Sequence, residues 1–299
     1  MERKDRVDAF GALSLIGFSA LLGFNQVVIR VVNEGLQPVF FAGLRSVGAV
    51  ALVLLWFHFK RKDFGLHRSD LGPGLLIGVF FALEFTLLFT SLDLTSVARA
   101  SIVFYTMPLW LALMAHVMLP GETITPVKAL GLLLAFCGVA VVILWRADAG
   151  DASFAGDVMA LGASMCWAGI ALVARTGLKH VSPDRQLIWQ LLVSAPLLLV
   201  AALFFGPFVR ELAPIHLWGL AFQIVVVAAL GFGFWLWLLS IYPAASVAAF
   251  SFLSPIFGVA FGWLLLGEAL GPAVLVSLVL VCAGLILINR PSHVPQKVR

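Results

Sequence analysis

Charge is scarce in this 299-residue chain: Asp, Glu, Lys and Arg together make up 11% of it, against roughly 25% in soluble domains. A soluble enzyme is excluded, because too few polar groups remain to cover its surface. The three cysteines, Cys137, Cys166 and Cys282, lie inside apolar stretches without CxxC spacing. They read as small buried hydrophobes and exclude a disulfide-stapled secreted domain. Disorder is excluded in turn by 62% hydrophobic residues and a mean hydropathy of +1.07. Also missing are an HExxH motif, a P-loop and any pair of intramembrane aspartates able to share a proton. His58, His67, His180, His216 and His293 fall in loops or at span ends, His116 falls in a last helical turn, and no serine has a base at fixed spacing. An enzyme is therefore not expected, nor is a metal or a cofactor. The class that remains is an all-α membrane protein.

Breaks in the apolar pattern mark ten spans at about 9–31, 38–59, 70–92, 95–118, 125–145, 156–178, 184–206, 213–239, 244–266 and 271–289, each near the ~20 residues that cross hydrocarbon. Leu212 to Gly267 contains no Asp, Glu, Lys or Arg. Tyr242-Pro243 divides that stretch in two, since proline disfavours helix at the residue before it. The first span follows Arg3, Lys4 and Arg6 but is longer than a signal-peptide core, so it reads as an uncleaved helix. With ten spans the termini share one side, and that side carries 14 Lys and Arg against 4 opposite, Arg30, Arg99, Arg146 and Arg210. The bias predicts cytoplasmic termini in a bacterial-type inner membrane. The net charge of +4 needs no nucleic-acid partner.

The two halves repeat one another. Gly121-Glu122 recurs as Gly267-Glu268, Pro126 as Pro272, Gly138 as Gly284, Pro38 as Pro183, Ser96-Val97-Ala98 as Ser246-Val247-Ala248 and Pro108 as Pro255. The order is kept, which points to duplication. Five spans in each half make the copies inverted, with repeats over residues 8–145 and 155–289. That is the architecture of transporters whose substrate site lies near the midplane.

Ser96-Val97-Ala98, a mid-helix proline, a long apolar run and Gly121-Glu122, repeated through Pro255 and Gly267-Glu268, resemble the EamA repeat of the drug/metabolite transporter superfamily. Gly23-Phe24-Asn25 and Trp167-Ala168 are similar to the family's early-helix pattern, as is Pro38 followed by Arg45, although Gln190 replaces the arginine in the repeat. Within the superfamily the chain is similar to YddG-type amino-acid exporters. The resemblance implies a pocket made by spans 1, 3, 4, 6, 8 and 9, with spans 5 and 10 peripheral.

Arg45 and Glu84 are the charges most clearly inside spans, where ionised groups are costly and point to function. They lie at matching depth and are expected either to tie two helices or to read a substrate's charged ends. Asn25, Glu84, Tyr105, Trp167 and Gln190 are the candidate substrate-binding residues. Gln26 adds a further hydrogen-bonding group. Pro108 and Pro255 are candidate kinks or hinges, and Arg45 is a structural or gating candidate. Trp235 and Trp237, two apart, cannot both face a cavity. Gly156, Ala160, Ser164 and Ala168 form a ladder of small residues suited to close helix contact. Glu122 and Glu268 read as caps for the helices that follow them. The expected partners are a small-molecule substrate and the lipid bilayer, and the expected state is a monomer or weak homodimer. The expected activity is export of neutral or aromatic amino acids by facilitated diffusion, with proton-coupled efflux of drugs or other metabolites as the alternative. A scaffold or receptor is a more distant one.

Overall fold

The computed structural model describes residues 7–61, 67–119, 122–242, 247 and 250–289. Gly121, Pro243, Ser246, Ala248 and His293 lie outside the described residues, as do Arg3, Lys4, Arg6, Lys62, Arg290, Lys297 and Arg299. Among the described residues the chain is almost wholly helical, its one extended pairing being the isolated bridge Leu36–Val209. Eight helices are long and apolar enough to cross a membrane, and the shorter apolar helices Phe250–Leu266 and Pro272–Ile288 complete a set of ten.

Span 1 is Ala9–Gly35, span 2 Pro38–Phe59, span 3 Leu71–Leu94, span 5 Pro126–Leu144, span 6 Phe154–Arg175, span 7 Pro183–Ala202 and span 10 Pro272–Ile288. Proline opens spans 2, 5, 7, 8 and 10, where its missing N–H is one that no helix could satisfy. Span 1 starts on a side-chain cap, Asp8 Oδ1 accepting from Gly11 N at 2.8 Å.

Three spans are irregular. Span 4 consists of Val97–Phe104 and Met107–Met118, separated by Tyr105 and Thr106. Span 8 runs Pro214–Phe222, then nine residues of π-helix at Gln223–Gly231, then Phe232–Ile241. Span 9 opens with a 3₁₀ turn at Phe250–Phe252 and continues as Leu253–Leu266. The expectation that Pro108 kinks a continuous helix is therefore corrected. Pro108 lies in the first turn of a new helix just past the break at Tyr105 and Thr106, where its absent N–H removes no bond. Pro255, by contrast, lies in a helical run continuous from Phe250 to Leu266, shortly after the 3₁₀ turn gives way to α-helix.

The helices pack as two related bundles. Span 3 packs on spans 6 and 7, and span 4 on span 6; spans 8 and 9 pack on span 1, and span 8 on span 2; span 2 on span 7 and span 9 on span 4 join the two sets. Exchanging each span for its counterpart in the other half turns the first set (3, 4, 6, 7) into the second (8, 9, 1, 2). Spans 5 and 10 lie along each other, close enough that a Cβ on Gly284 would be 2.5 Å from the Gly131 carbonyl oxygen. The small-residue ladder of span 6 is buried throughout, and Ser164 Oγ lies 3.2 Å from Thr106 Oγ1 at the span 4 break.

Candidate functional site

We call the face where span 1 begins and span 10 ends the near face, and its opposite the far face. Tyr105 closes the first half of span 4, about 12 Å in from the far face at 1.5 Å per residue. Its ring contacts Trp167 at 6.2 Å between centroids, and Phe104 stacks on the same indole at 5.0 Å. The Tyr105 hydroxyl donates to the Leu22 carbonyl at 2.8 Å and accepts from Gln26 Nε2 at 3.2 Å. The break in span 4 thus presents an aromatic cluster with one buried hydroxyl.

Asn25 and Gln26 are neighbours in span 1, so their side chains leave the helix in different directions. Gln26 reaches span 4, whereas Asn25 Oδ1 accepts from Gln223 Nε2 of span 8 at 2.6 Å. Gln223 opens the π-helix, a geometry that recurs at functional sites. The Oε1 atoms of both Gln26 and Gln223 are buried without a donor among the described residues. Gln223 was not singled out from the sequence, although a lone amide in 56 residues without charge was the available signal.

Arg45 and Glu84 are both buried, and each feels the other through space. Of the two alternatives, the direct tie is not made: the side chains form no ion pair with each other. The guanidinium lies over the Phe85 ring, 4.4 Å from its centroid, an aromatic face that attracts the cation, while its Nε is buried without a hydrogen-bond partner among the described residues. Glu84 receives no hydrogen bond from any described residue. Gln190 stands apart from the rest, half-buried and about 10 Å in from the near face, since span 7 runs opposite to span 2. The structure thus brings together Tyr105 and Trp167, links Asn25 to Gln223, sets Glu84 near Arg45, and leaves Gln190 in another layer.

A cavity of about 740 Å³ lies in the near-face half of the molecule between spans 1, 2, 7 and 8. Leu21 and Val226 form its deep end, and Trp56, Asp184, Leu187 and Trp237 border its outer part. Trp237 faces this space, whereas Trp235 stacks on Phe18 at 5.1 Å. The lining is apolar apart from Asp184. The expected pocket residues do not line it.

The far face is held by polar contacts that the sequence did not announce. Asp157, fully buried, accepts from Arg99 Nη2 at 2.8 Å and Thr95 Oγ1 at 2.6 Å, and also from Arg146. Arg99 further donates to the Val142 carbonyl. Asp93 takes both guanidinium arms of Arg210 at 2.8 and 2.9 Å, which raises Arg210 above its ordinary pKa. The four arginines counted on the minority side all hold this face, Arg30 by donating to the carbonyls of Leu92 and Asp93.

Glu268 corrects the reading of the Gly-Glu pair. Gly267 ends span 9 in the left-handed conformation, φ 67°, and lets Glu268 N return to the Gly262 carbonyl. The Glu268 carboxylate then turns away from the helix that follows and accepts from Val97 N at 2.6 Å and Ala98 N at 2.9 Å. Burial raises this carboxyl above its ordinary pKa, while the two N–H bonds oppose the rise. Span 10 is served by Asp148, whose Oδ2 accepts from Ala273 N at 3.0 Å.

Ten apolar helices, two bundles exchanged by an internal repeat, interrupted helices at the centre and a cavity between the bundles define a membrane transporter. The sequence model of the EamA-like transporter family matches residues 9–144 and 154–290, and the chain belongs to that family. It is 23% identical to an uncharacterized transporter of Bacillus subtilis, YoaV, over 92% of this chain and 95% of that one. It is 30% identical to a probable amino-acid metabolite efflux pump of Salmonella typhimurium, covering 90% and 93% of the two chains. A solved crystal structure shares the fold, with a TM-score of 0.63 at 20% identity over 92% of this chain and 96% of that one.

Proposed function

We propose that this chain exports small neutral or aromatic amino acids across the plasma membrane by alternating access, with both termini in the cytoplasm. The observation that carries this reading is the layer around the span 4 break. Phe104, Tyr105 and Trp167 supply aromatic surface, and Gln26, Asn25 and Gln223 supply uncharged amides, two of them with a free buried carbonyl oxygen. Such a layer suits an apolar side chain at one end and an ammonium at the other. The efflux-pump names of two relatives agree with it. Asn25, Tyr105, Trp167 and Glu84 border the path in this proposal, and Gln190 meets the substrate on the near-face side. The uncharged groups around the span 4 break favour facilitated diffusion, in which the cell's own concentration gradient drives exit.

Proteoliposomes and a panel of labelled amino acids test this reading. Uptake of aromatic and branched neutral amino acids is expected, reduced at least tenfold in Trp167→Ala that remains folded. Equal transport by Trp167→Ala and Asn25→Ala would contradict the site.

One observation favours a second reading of the energetics. Glu84 is buried, without a hydrogen-bond donor among the described residues and without an ion pair to Arg45. A carboxyl in that setting is suited to carrying a proton, which would make the export proton-coupled.

A further inference from the structure

The two bundles meet at the far face through a specific set of bonds. Arg30 and Asn33 of span 1 donate to the carbonyls of Leu92, Asp93 and Phe89 at the end of span 3. Arg210 holds the Asp93 carboxylate and also donates to the Asn33 carbonyl at 2.8 Å, so it belongs with span 1. Glu268, at the end of span 9, accepts from the first two N–H groups of span 4. All of these join one bundle to the other. On the near face, the described bonds His180–Asp70, Tyr242–Asp8 and Ser19–Phe250 each join members of a single bundle. The cavity lies between spans 1, 2 and 8 of one bundle and span 7 of the other. Polar bonds thus tie the bundles together at the far face, whereas toward the near face the described packing between bundles is the apolar contact of spans 2 and 7 beside the cavity.

Among the far-face ties Glu268 has a place built for it. Its carboxylate sits on the positive end of the Val97–Phe104 half-helix, whose first N–H groups have no partner within the helix. A Cβ on Gly262 would lie 2.5 Å from Glu268 Oε2, so only glycine there leaves room for the carboxylate. Span 4 crosses span 9 just beneath, where a Cβ on Gly258 would meet Ser101 Oγ at 2.2 Å. The far face cannot part while this carboxylate bridges the bundles.

We propose that Glu268 is the latch of the far-face gate, holding Val97 and Ala98 while the near face is open and releasing them when the far face opens. This rests on the alternating-access part of the proposed function and not on the substrate. Its loss shifts the protein toward the state open at the far face, because one of the two states loses bonds that the other never has.

The test is labelling of a buried cysteine from the far side, which needs no substrate. Ser101→Cys is placed in protein whose Cys137, Cys166 and Cys282 are alanine, and an impermeant maleimide is added from the far side of oriented vesicles. Adding Glu268→Ala should raise the initial labelling rate about fivefold or more, and Glu268→Gln, which keeps one acceptor oxygen, should raise it less. Arg210→Gln weakens the same gate and carries the test if Glu268→Ala does not fold. Asp70→Asn, which cuts a tie inside one bundle, should leave the rate unchanged. Equal rates in the parent and in every folded gate variant would overturn the latch. So would an equal rise in Asp70→Asn, which would indicate general loosening.

Discussion

Gln26 Nε2 and the Tyr105 hydroxyl meet at 3.2 Å, and through them span 1 of one bundle touches the interrupted helix of the other. Tyr105→Phe would leave the amide without its partner in a buried layer, at a cost of about 1–3 kcal/mol. The unfolding midpoint in detergent should fall accordingly. Combining it with Gln26→Leu should recover part of the loss, because both polar partners are then gone. Additive losses would show that the two side chains act separately.

Asp157 and Asp93 are both bound by arginine but differ in burial, and their substitution should differ in cost. Asp157 is wholly buried between Arg99 and Arg146. Asp157→Asn leaves uncompensated cations and should cost about 3–5 kcal/mol, seen as loss of folded protein on size-exclusion chromatography. The Asp93–Arg210 pair is partly exposed. Arg210→Gln should cost about 0–1 kcal/mol and change the folded yield little.

Spans 5 and 10 touch backbone to backbone at Gly131 and Gly284. Gly284→Leu would force them apart, since the added Cβ meets a carbonyl oxygen and the Ala135 backbone nitrogen rather than a movable side-chain end. The expected result is a clear drop in thermal stability, whereas Gly72→Ala, in open space, should be neutral.

The fold was readable because the signals that place helices are local. Proline opens five of the spans, the apolar runs have membrane length, and the repeat of Gly-Glu, proline and Ser-Val-Ala exposes the duplication. The span 4 break was half-readable: Pro108 marked it, but a proline alone does not tell a kink from a fresh helix start. Most of the site's contacts were not legible. Asn25 with Gln223, Arg99 with Asp157 and Glu268 with Val97 join residues 58 to 198 positions apart, and nothing local in either partner names the other. Arg45 and Glu84 show the limit from the other side. An expected matching depth says nothing of rotation about the helix axis, which places Phe85 under the guanidinium.

Glu84 separates the two readings of the energetics. If exit is facilitated diffusion, Glu84→Gln and the parent should show the same absence of response to an imposed pH gradient, whatever the substitution does to the exchange rate itself. If Glu84 carries a proton, the variant should exchange substrate yet lose any acceleration by a pH gradient.

The most direct measurement is uptake of a labelled aromatic amino acid into liposomes containing the purified protein, with and without an imposed pH or sodium gradient. Facilitated diffusion predicts equal initial rates and a final internal concentration equal to the external one. Accumulation above the external concentration only when a gradient is imposed would contradict it.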